Sequence, residues 1–529
     1  MYKRQGLVNA SNLVSKTNTL IGTQGNGWAS GYLYPGATYP FGMVQFTPTY
    51  FTKQLGFVIN QLSGAGCDHM GNFPTLPIAG ALRVSPDSIL NMQTPVGKEI
   101  GTAGYYAATV DHSIRAELTV TERTGMARYT FSSKEKQGTV IIGGGVAATS
   151  IQVAAIKITG PHSCEGYAEG GAFCGIPTPY KVYFVAEFDA DAESFGTWKE
   201  ERLHANHTFA EGSHSGVYFT FPLKEGNQAV QYKIGVSYVS VENARENLRV
   251  ENPAWDFSAV RQATQDKWNE YLGKIEVEGD NEDRQMQFYT HLYRSLIHPN
   301  VCSDVNGEYM GADSQVHKTA RKFYTSFSNW DTYRTQTALI AMLAPEETSD
   351  IVMSHYLFAE QSGGGFPRWV LANIETGVMQ GDPTPILVAN AYAFGARNYD
   401  PRTLLRTMRY GAEVPGANSQ GVLTRPGLEQ YLEKGYYDAS ILLEYTSSDF
   451  AIGRFALQAC NDEPVCNWYT QRAMNWKNLF NKETGWLQSR NEDGSWKRYD
   501  ADWRESTYKN YFWMVPYDCL LYTSDAADE

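Results

Sequence analysis

The chain has 529 residues, more than one hydrophobic core usually holds, so at least two domains are expected. Hydrophobic residues make up 42% and charged residues 19%, which is typical of a globular protein, and a formal net charge of -13 without a basic stripe argues against a nucleic-acid partner. No apolar run approaches the ~20 residues that span a membrane, and the opening "MYKRQGLVNASNLVSKT" contains no apolar export signal.

The first part of the chain, up to about residue 270, is predicted to be rich in β-strands. Short runs of alternating or β-branched residues are separated by clusters of Gly, Asn and Asp, which is the pattern of an antiparallel β-sandwich. The runs are "TVTERTGMARYTFSS", "TVIIGGGV", "YKVYFVAEFDA", "SGVYFTFPL" and "VQYKIGVSYVSVE". We therefore predict a β-sandwich domain over residues 1–255.

Helical spacing of apolar residues begins at "PAWDFSAVRQATQDKWNEYLGKI", which predicts a helical linker over 256–282, with "KIEVEG" as a short strand at its end. From 283 to 518, apolar residues recur every three or four positions in segments divided by Gly- and Pro-rich loops. The segments are "RQMQFYTHLYRSLIHP", "WDTYRTQTALIAMLAP", "ETSDIVMSHYLFAEQ", "PTPILVANAYAFGA", "PRTLLRTMRYGA", "ASILLEYTSSDFAIGRFALQA" and "QRAMNWKNLFN". Regularly spaced helices of this kind predict an α/α toroid with a cleft at one end.

The last eleven residues contain one of the seven cysteines. The ending "CLLYTSDAADE" (519–529) breaks the preceding pattern and resembles the translation of a sequencing-library adapter, so we treat it as non-native. Among the other cysteines, Cys164/Cys174 and Cys460/Cys466 are close pairs that fit two small disulfide loops in an oxidising compartment. Reduced, buried cysteines are the alternative.

The segment "FSNWDTYR" places Trp330 and Asp331 at the start of a predicted long helix. Asp331 either caps the helix or accepts hydrogen bonds from two sugar hydroxyls while the Trp330 ring stacks on a sugar face. Aromatic residues make up 13% of the chain, including 34 Tyr and 12 Trp, and such amphipathic rings suit sugar faces as well as large cores.

Two glycine-rich segments are further candidates for a binding site. The loop "GGGFPRWVLANIETGVMQGDPTP" carries Arg368 and Asp382, and its length and aromatic content favour a binding loop over disorder. In "GNGWASGYLYPGATYPFGM", Trp28 is either a core residue or a side chain that reaches into a neighbouring cleft.

The segment "ESTYKNYFWMVPYD" begins with Glu505 and continues with aromatic residues. Rings around a carboxyl favour its protonated form, which a general acid requires. The alternative is an exposed glutamate at a helix start, where it interacts favourably with the helix dipole.

Taken together, these segments resemble glycoside hydrolase family 92, the calcium-dependent exo-acting α-mannosidases. The resemblance covers nearly the whole chain. It rests on "IGTQGNG", "YPGATYPFGMVQFTP", "LSGAGCD", "FYTHLYRSLIHPNVCSDVNGEYMG", "YTSFSNWDTYR", "FPRWVLANIETGVMQGD", "LEQYLEKGYYD", "LLEYTSSDFAIGRFA", "NLFNKETGWLQSRNEDGSW" and "ESTYKNYFWMVPYD". It implies an N-terminal β-sandwich, a helical linker and an (α/α)6 barrel (283–518), with a site at the interface of the two domains.

The resemblance also implies roles for individual residues. Glu505 matches the general acid, and Asp331, Thr507 and Trp28 fall at or near sugar contacts. Tyr508 and Asn510 stand where the family commonly has Trp and Gln, and Asn510 is the candidate for a calcium contact.

The implied reaction is inverting, calcium-assisted hydrolysis of terminal α-mannosides in N-glycans or mannans, with α-1,2 linkages as the commonest family substrate. The catalytic base of the family, in a "GNDD"-type segment, is expected beyond the end of this chain, together with most calcium ligands. We therefore expect a C-terminally incomplete barrel that is inactive as given, from a protein located in the periplasm, on the outer surface or outside the cell. The alternatives are another toroid glycosidase or phosphorylase, and a non-catalytic carbohydrate-binding protein.

Overall fold

The computed structural model describes residues 12–23, 32–48, 56–86, 96–225 and 228–518. Trp28 and the segment 519–529 lie outside these described residues. The chain divides into two compact units, one formed by residues 1–310 and 316–326 and the other by 311–315 and 327–529. None of the helices in the described ranges is long and apolar enough to cross a membrane.

The first unit contains two large antiparallel sheets. Its strands are β1 (Ala37–Thr38), β2 (Gln45–Pro48), β3 (Phe57–Val58), β4 (Thr75–Ala79), β5 (Val96–Thr102), β6 (Tyr105–Val110), β7 (Ile114–Val120), β8 (Thr124–Thr130), β9 (Gln137–Gly143), β10 (Ile151–Gly160), β11 (Ser163–Phe173), β12 (Ile176–Phe188), β13 (Ser194–Lys199), β14 (Arg202–Ala205), β15 (Phe209–Glu211), β16 (Ser215–Pro222) and β17 (Ala229–Ser237). One sheet has the order β1-β2-β3-β4-β9-β16-β13-β14, and the other β15-β10-β11-β12-β17-β8-β7-β6-β5.

Aromatic and β-branched side chains join the two sheets face to face. Phe57 in β3 stacks on Tyr129 in β8 with ring centroids 6.4 Å apart, and Phe188 in β12 lies 5.0 Å from Phe219 in β16. Every one of these four residues is buried. Burial of one face of each sheet produces the alternating pattern of the sequence. The predicted β-sandwich is therefore confirmed.

Helices and short hairpins complete the first unit. They are a 3-10 helix (Leu13–Lys16), α1 (Val241–Glu251), α2 (Phe257–Leu272), α3 (Glu282–Ser295), β18 (Asn300–Val301), β19 (Glu308–Met310), β20 (Val316–Lys318) and β21 (Tyr324–Thr325). The unit ends near 326, later than the predicted barrel start at 283, because α3 packs on the sandwich. Thr290 Oγ1 accepts a bond of 3.0 Å from the Asn18 amide, and the Tyr293 hydroxyl lies 2.8 Å from Thr38 Oγ1.

The prediction of a strand at 274–279 was wrong. This segment is irregular and pairs with no neighbouring strand among the described residues. The amide of Val277 donates instead to the Tyr289 hydroxyl of α3, at 3.1 Å. Alternation of residues in a short segment cannot show whether a partner strand lies beside it.

The second unit is mainly helical. Its elements are β22 (Phe327–Ser328), α4 (Asn329–Thr332), α5 (Gln336–Leu343), α6 (Pro345–Ser362), β23 (Trp369–Leu371), β24 (Ile374–Glu375), α7 (Thr384–Ala393), α8 (Pro401–Glu413), β25 (Asn418–Ser419), β26 (Val422–Leu423), α9 (Leu428–Lys434), α10 (Ala439–Cys460), α11 (Glu463–Ala473), a second 3-10 helix (Met474–Leu479), β27 (Phe480–Asn481), β28 (Trp486–Leu487) and α12 (Tyr508–Tyr511). The predicted fold class, a β-sandwich followed by a helical domain, is confirmed.

Local sequence signals explain where the helices begin and end. Asp400 accepts a bond from the Arg402 amide in front of α8, and Pro401 occupies the first helical position. Gly363 ends α6 with a left-handed backbone at φ 118°. The predicted single helix over 330–345 is in fact α4 and α5, since the chain turns between them.

Of the two alternatives for the close cysteine pairs, neither disulfide loop forms, and three of the four cysteines are reduced as in the second alternative. Cys67 bonds to Cys174, with Cα atoms 5.2 Å apart, whereas Cys164, Cys460 and Cys466 are free thiols. Cys164 is the second residue of β11 and Cys174 lies just past its end, so ten residues of extended chain, about 30 Å, separate them. Proximity in sequence is no guide to pairing when both residues flank one strand.

Candidate active site

Three of the predicted site residues line one cavity in the second unit. The cavity has a volume of about 310 Å³, at the lower end of the range for ligand pockets, which suits a small ligand such as one sugar ring. Its walls come from the α4 region and from the segment that leads into and past α12. The lining residues are Trp330, Arg334, Arg504, Glu505, Ser506, Asn510, Tyr511 and Met514.

Glu505 is the only carboxylate among the described residues that line this cavity. Its backbone is left-handed at φ 51°, a conformation that non-glycine residues adopt mainly where the surrounding structure imposes it, often at functional sites. The side chain is exposed, so the predicted shielding by aromatic rings is not found. The rings of Tyr508 and Phe512 pack instead on Trp486, with centroids 5.1 and 5.4 Å from its ring.

Glu444, a buried residue of α10 that the sequence analysis missed, contacts both Trp330 and Arg334. The Trp330 indole donates to Glu444 Oε1 at 3.0 Å, and Arg334 Nη2 lies 3.7 Å from the same oxygen. Tyr333 donates its hydroxyl proton to Glu444 Oε2 at 3.3 Å. Burial raises the pKa of Glu444 to about 7, against the opposing effect of Arg334 and the two hydrogen-bond donors.

The Arg334 guanidinium lies over the Trp330 ring, 5.1 Å from its centroid, and Nη1 donates to the sulfur of Met514 at 3.3 Å. It therefore links the wall formed by α4 to the wall formed by the chain after α12. A cation over an indole also fixes the ring orientation.

Tyr511 is a buried residue of the cavity lining. Its hydroxyl donates to the Arg504 carbonyl at 3.0 Å and accepts from Gln380 Nε2 at 3.2 Å. Burial, with a further contribution from Glu444, raises the pKa of Tyr511 to about 12. The hydroxyl is thus protonated at neutral pH and serves as a fixed hydrogen-bonding group.

Asp331, Thr507 and Asn510 all lie close to the cavity residues in sequence, but only Asn510 lines the cavity. Asp331 is exposed and accepts a hydrogen bond from Ser328, the N-cap residue of α4. Thr507 is the exposed N-cap residue of α12, and its carbonyl accepts from the Tyr511 amide at 3.0 Å.

Arg368 and Asp382 are buried and belong to the interior of the predicted binding loop. Arg368 Nε donates to the Gly381 carbonyl at 2.9 Å, and its remaining donors face other backbone carbonyls. Asp382 forms an ion pair of 2.8 Å with Arg425. The loop is built around the β23–β24 hairpin. None of its described residues lines the cavity that contains Glu505, called the Glu505 cavity below.

The described residues contain no group of three or more His, Cys, Asp or Glu side chains that could hold a metal ion. Asn510 supplies one amide group, and its Nδ2 donates to Ser506 Oγ at 2.9 Å. Calcium needs six to eight oxygen ligands, so these residues do not by themselves form a calcium site.

A carboxyl and an indole that line one small cavity have the chemistry of a carbohydrate site, and comparison with known proteins identifies the class as glycoside hydrolases. Residues 17–237 match the N-terminal domain and residues 243–521 the catalytic domain of glycosyl hydrolase family 92. The chain therefore belongs to glycosyl hydrolase family 92, a family of glycosidases.

Individual proteins are similar to this chain in sequence, in fold or in both. The chain is 25% identical to an uncharacterized secreted glycosidase of Arthroderma benhamiae, over 91% of the chain and 66% of that protein. The structure of the family GH92 inverting mannosidase BT2199 from Bacteroides thetaiotaomicron has 25% identity and a TM-score of 0.87, covering 98% of this chain and 73% of that one. The GH92 α-mannosidase BT3965 from the same organism superposes with a TM-score of 0.88 at 24% identity, over 98% and 73%.

Proposed function

We propose that this chain carries the part of an α-mannosidase that contains the general acid. The enzyme would remove terminal α-linked mannose, most commonly α-1,2-linked, with inversion of configuration. The observation that carries the proposal is the position of Glu505, alone as a carboxylate among the described residues of a cavity of about 310 Å³. In this proposal Glu505 donates its proton to the departing glycosidic oxygen. Trp330 supplies a ring face for the sugar.

An inverting reaction needs a second carboxylate, about 6.5–9.5 Å from the acid, to activate water on the opposite face of the sugar. We infer that this base, and the oxygen ligands of a calcium ion, come from residues outside the described part of the chain. The calcium would polarise the sugar when bound. Asp331, Thr507 and Trp28 remain proposed sugar contacts, and Arg368 and Asp382 would act by holding the loop behind the site.

We further propose that the protein works in an oxidising compartment: secreted, in the periplasm or on the outer surface. The Cys67–Cys174 disulfide supports this, because such bonds persist mainly outside the reducing cytosol. The name of the relative from Arthroderma benhamiae, a secreted glycosidase, points the same way.

The proposal is tested with azide, a nucleophile that needs no general base to activate it. Purified chain is incubated with phenyl α-mannoside with or without sodium azide. Azide attacks C1 from the β face, the C1–O bond breaks, and the departing oxygen takes the proton of Glu505, giving phenol and β-mannosyl azide. We expect this product in azide and no mannose release in buffer alone.

Phenyl α-glucoside is the matched substrate control. The same reactions are repeated with a chelator to test whether they depend on calcium. Mannose release in buffer alone would contradict the inferred origin of the base. An azide product from the glucoside but not from the mannoside would contradict the mannosidase proposal and favour another α-glycosidase.

A further inference from the structure

Glu444 is a fully buried carboxyl in the second turn of α10, between Leu443 and Tyr445. Taking a carboxylate out of water costs several kcal/mol unless partners compensate for it. At Glu444 the compensation is incomplete: the nearest guanidinium, that of Arg334, is 3.7 Å away and its side chain is 40% exposed.

A second acid of the same helix shows the contrast. Asp449 pairs with Arg425 at 2.8 Å and accepts from Arg472 Nε at 2.7 Å and from the Tyr431 hydroxyl at 2.6 Å. Arg472 and Arg425 together hold the pKa of Asp449 below its ordinary value, although burial opposes them. Asp449 is thus fully compensated within the core, as a structural charge should be, and Glu444 is not.

The partners of Glu444 also differ from those of Asp449 in their location. Trp330 and Arg334 both line the Glu505 cavity, and both contact the same carboxylate oxygen. Gly381 makes room for this carboxyl: its backbone has φ 75°, and a Cβ there would lie 2.6 Å from Glu444 Cβ. A side chain at 381 would push Glu444 away from the cavity wall.

We propose that Glu444 is a positioning residue whose carboxylate fixes the Trp330 indole and the Arg334 guanidinium in the arrangement that lines the Glu505 cavity. The consequence for sugar binding rests on the proposed function, whereas the positioning itself does not. Without the charge, Arg334 loses its anionic partner and the indole loses its charge-assisted hydrogen bond.

The charged and titratable groups that face Glu444 come from three neighbouring segments. Arg334 and Tyr333 approach from the α4 side, Arg368 from the hairpin loop, and Tyr511 from α12. Both arginines favour the ionised carboxyl, and burial opposes it. Because the pKa of Glu444 is raised to about 7, the ionised form predominates above that pH and the cavity wall is expected to loosen as the pH falls below it.

The test follows the indole N–H resonance of Trp330 in 15N-tryptophan-labelled, ligand-free protein, assigned with the Trp330→Phe variant. We expect this resonance to shift between pH 8 and pH 6 with a midpoint near 7 in the wild type, and to show no such step in Glu444→Gln. Glu433→Gln, an exposed glutamate of α9, is the matched control and should behave as wild type. A Trp330 resonance without a pH step in the wild type overturns the proposal, whether or not Glu444→Gln folds.

A second arm measures binding of α-1,2-mannobiose by calorimetry at pH 7.5. Loss of one hydrogen bond to a charged acceptor predicts about tenfold weaker binding in Glu444→Gln. If the wild type binds the sugar and Glu444→Gln binds it equally well, the positioning role is overturned and the proposed function stands. If the indole shift depends on Glu444 but the wild type binds no sugar, the positioning role stands and the proposed function is overturned.

Discussion

Glu505 is the proposed proton donor, so the first prediction concerns this single side chain. If it is the acid, Glu505→Gln should lower azide-supported turnover of phenyl α-mannoside by about 10²–10⁴-fold, the usual contribution of a positioned proton donor. Turnover of 2,4-dinitrophenyl α-mannoside should fall far less, because that leaving group departs without a proton. The two rates are measured under identical azide concentrations.

Glu483→Gln provides the comparison for this substitution, since Glu483 is exposed and is not among the lining residues of the cavity. Equal losses for both leaving groups in Glu505→Gln would show a binding or folding defect and would reject the acid assignment.

The residues of the site differ in how readily a sequence reveals them. Trp330 and Glu505 stand in segments with a strong polar–aromatic signal, and the fold brings both to one cavity. Glu444 was missed because its hydrogen-bond partners, Trp330 and Tyr333, lie 114 and 111 residues away in sequence. A signal was present, however: Glu444 and Asp449 both interrupt the apolar pattern of α10, and acidic residues are almost never fully buried unless something pairs with them.

The helix α10 depends on a buried ionic cluster of two arginines and two acids: Arg425, Arg472, Asp382 and Asp449. Asp449→Asn leaves two guanidinium groups without their shared carboxylate, so we expect the free energy of unfolding to fall by about 3–5 kcal/mol. Urea unfolding followed by tryptophan fluorescence measures the loss.

Asp500→Asn breaks an ion pair with Arg498 at the surface of the same unit, where water screens the interaction. Its unfolding midpoint should match that of the wild type. If Asp449→Asn were equally silent, the cluster would not stabilise the unit.

Periodicity predicted the helices well and their interruptions poorly. Segments such as α6, α8 and α10 fall where apolar spacing places them, because each buries one face against the common core. The break between α4 and α5 has no strong sequence signal, since no Pro or Gly lies between Trp330 and Leu343. Tertiary contacts of Tyr333 and Arg334 with Glu444 oppose a continuous helix there.

At the scale of the whole molecule, the order of a β-sandwich followed by a helical unit was predictable, because strand and helix periodicities separate cleanly along the chain. The position at which the first unit ends was not predictable. The helix α3 has the same amphipathic pattern as the helices that follow, and only its contacts with the N-terminal residues assign it to the sandwich. Such long-range contacts leave no trace in local periodicity.

Two buried histidines link the stability of the sandwich unit to pH. His69 accepts a hydrogen bond from the Leu62 amide at 2.7 Å, and His298 accepts one from the neighbouring Ser63 amide at 2.9 Å. Burial lowers the pKa of each histidine to about 4, because a protonated ring would be desolvated and would turn an N–H towards an amide N–H.

Since each pKa is lower in the folded state than the ordinary value near 6.5, the unfolded state binds protons first as the pH falls. The stabilising contribution is therefore complete above about pH 6.5 and is lost between pH 6.5 and 4, by up to about 3 kcal/mol per histidine. We expect the thermal midpoint of wild type to fall more steeply over this range than that of His298→Gln. His162→Gln, which removes an exposed histidine paired with Asp191, should follow the wild-type curve. Parallel pH profiles for wild type and His298→Gln would show that the neutral ring of His298 contributes nothing, and would leave the acid sensitivity of the unit to its carboxylates.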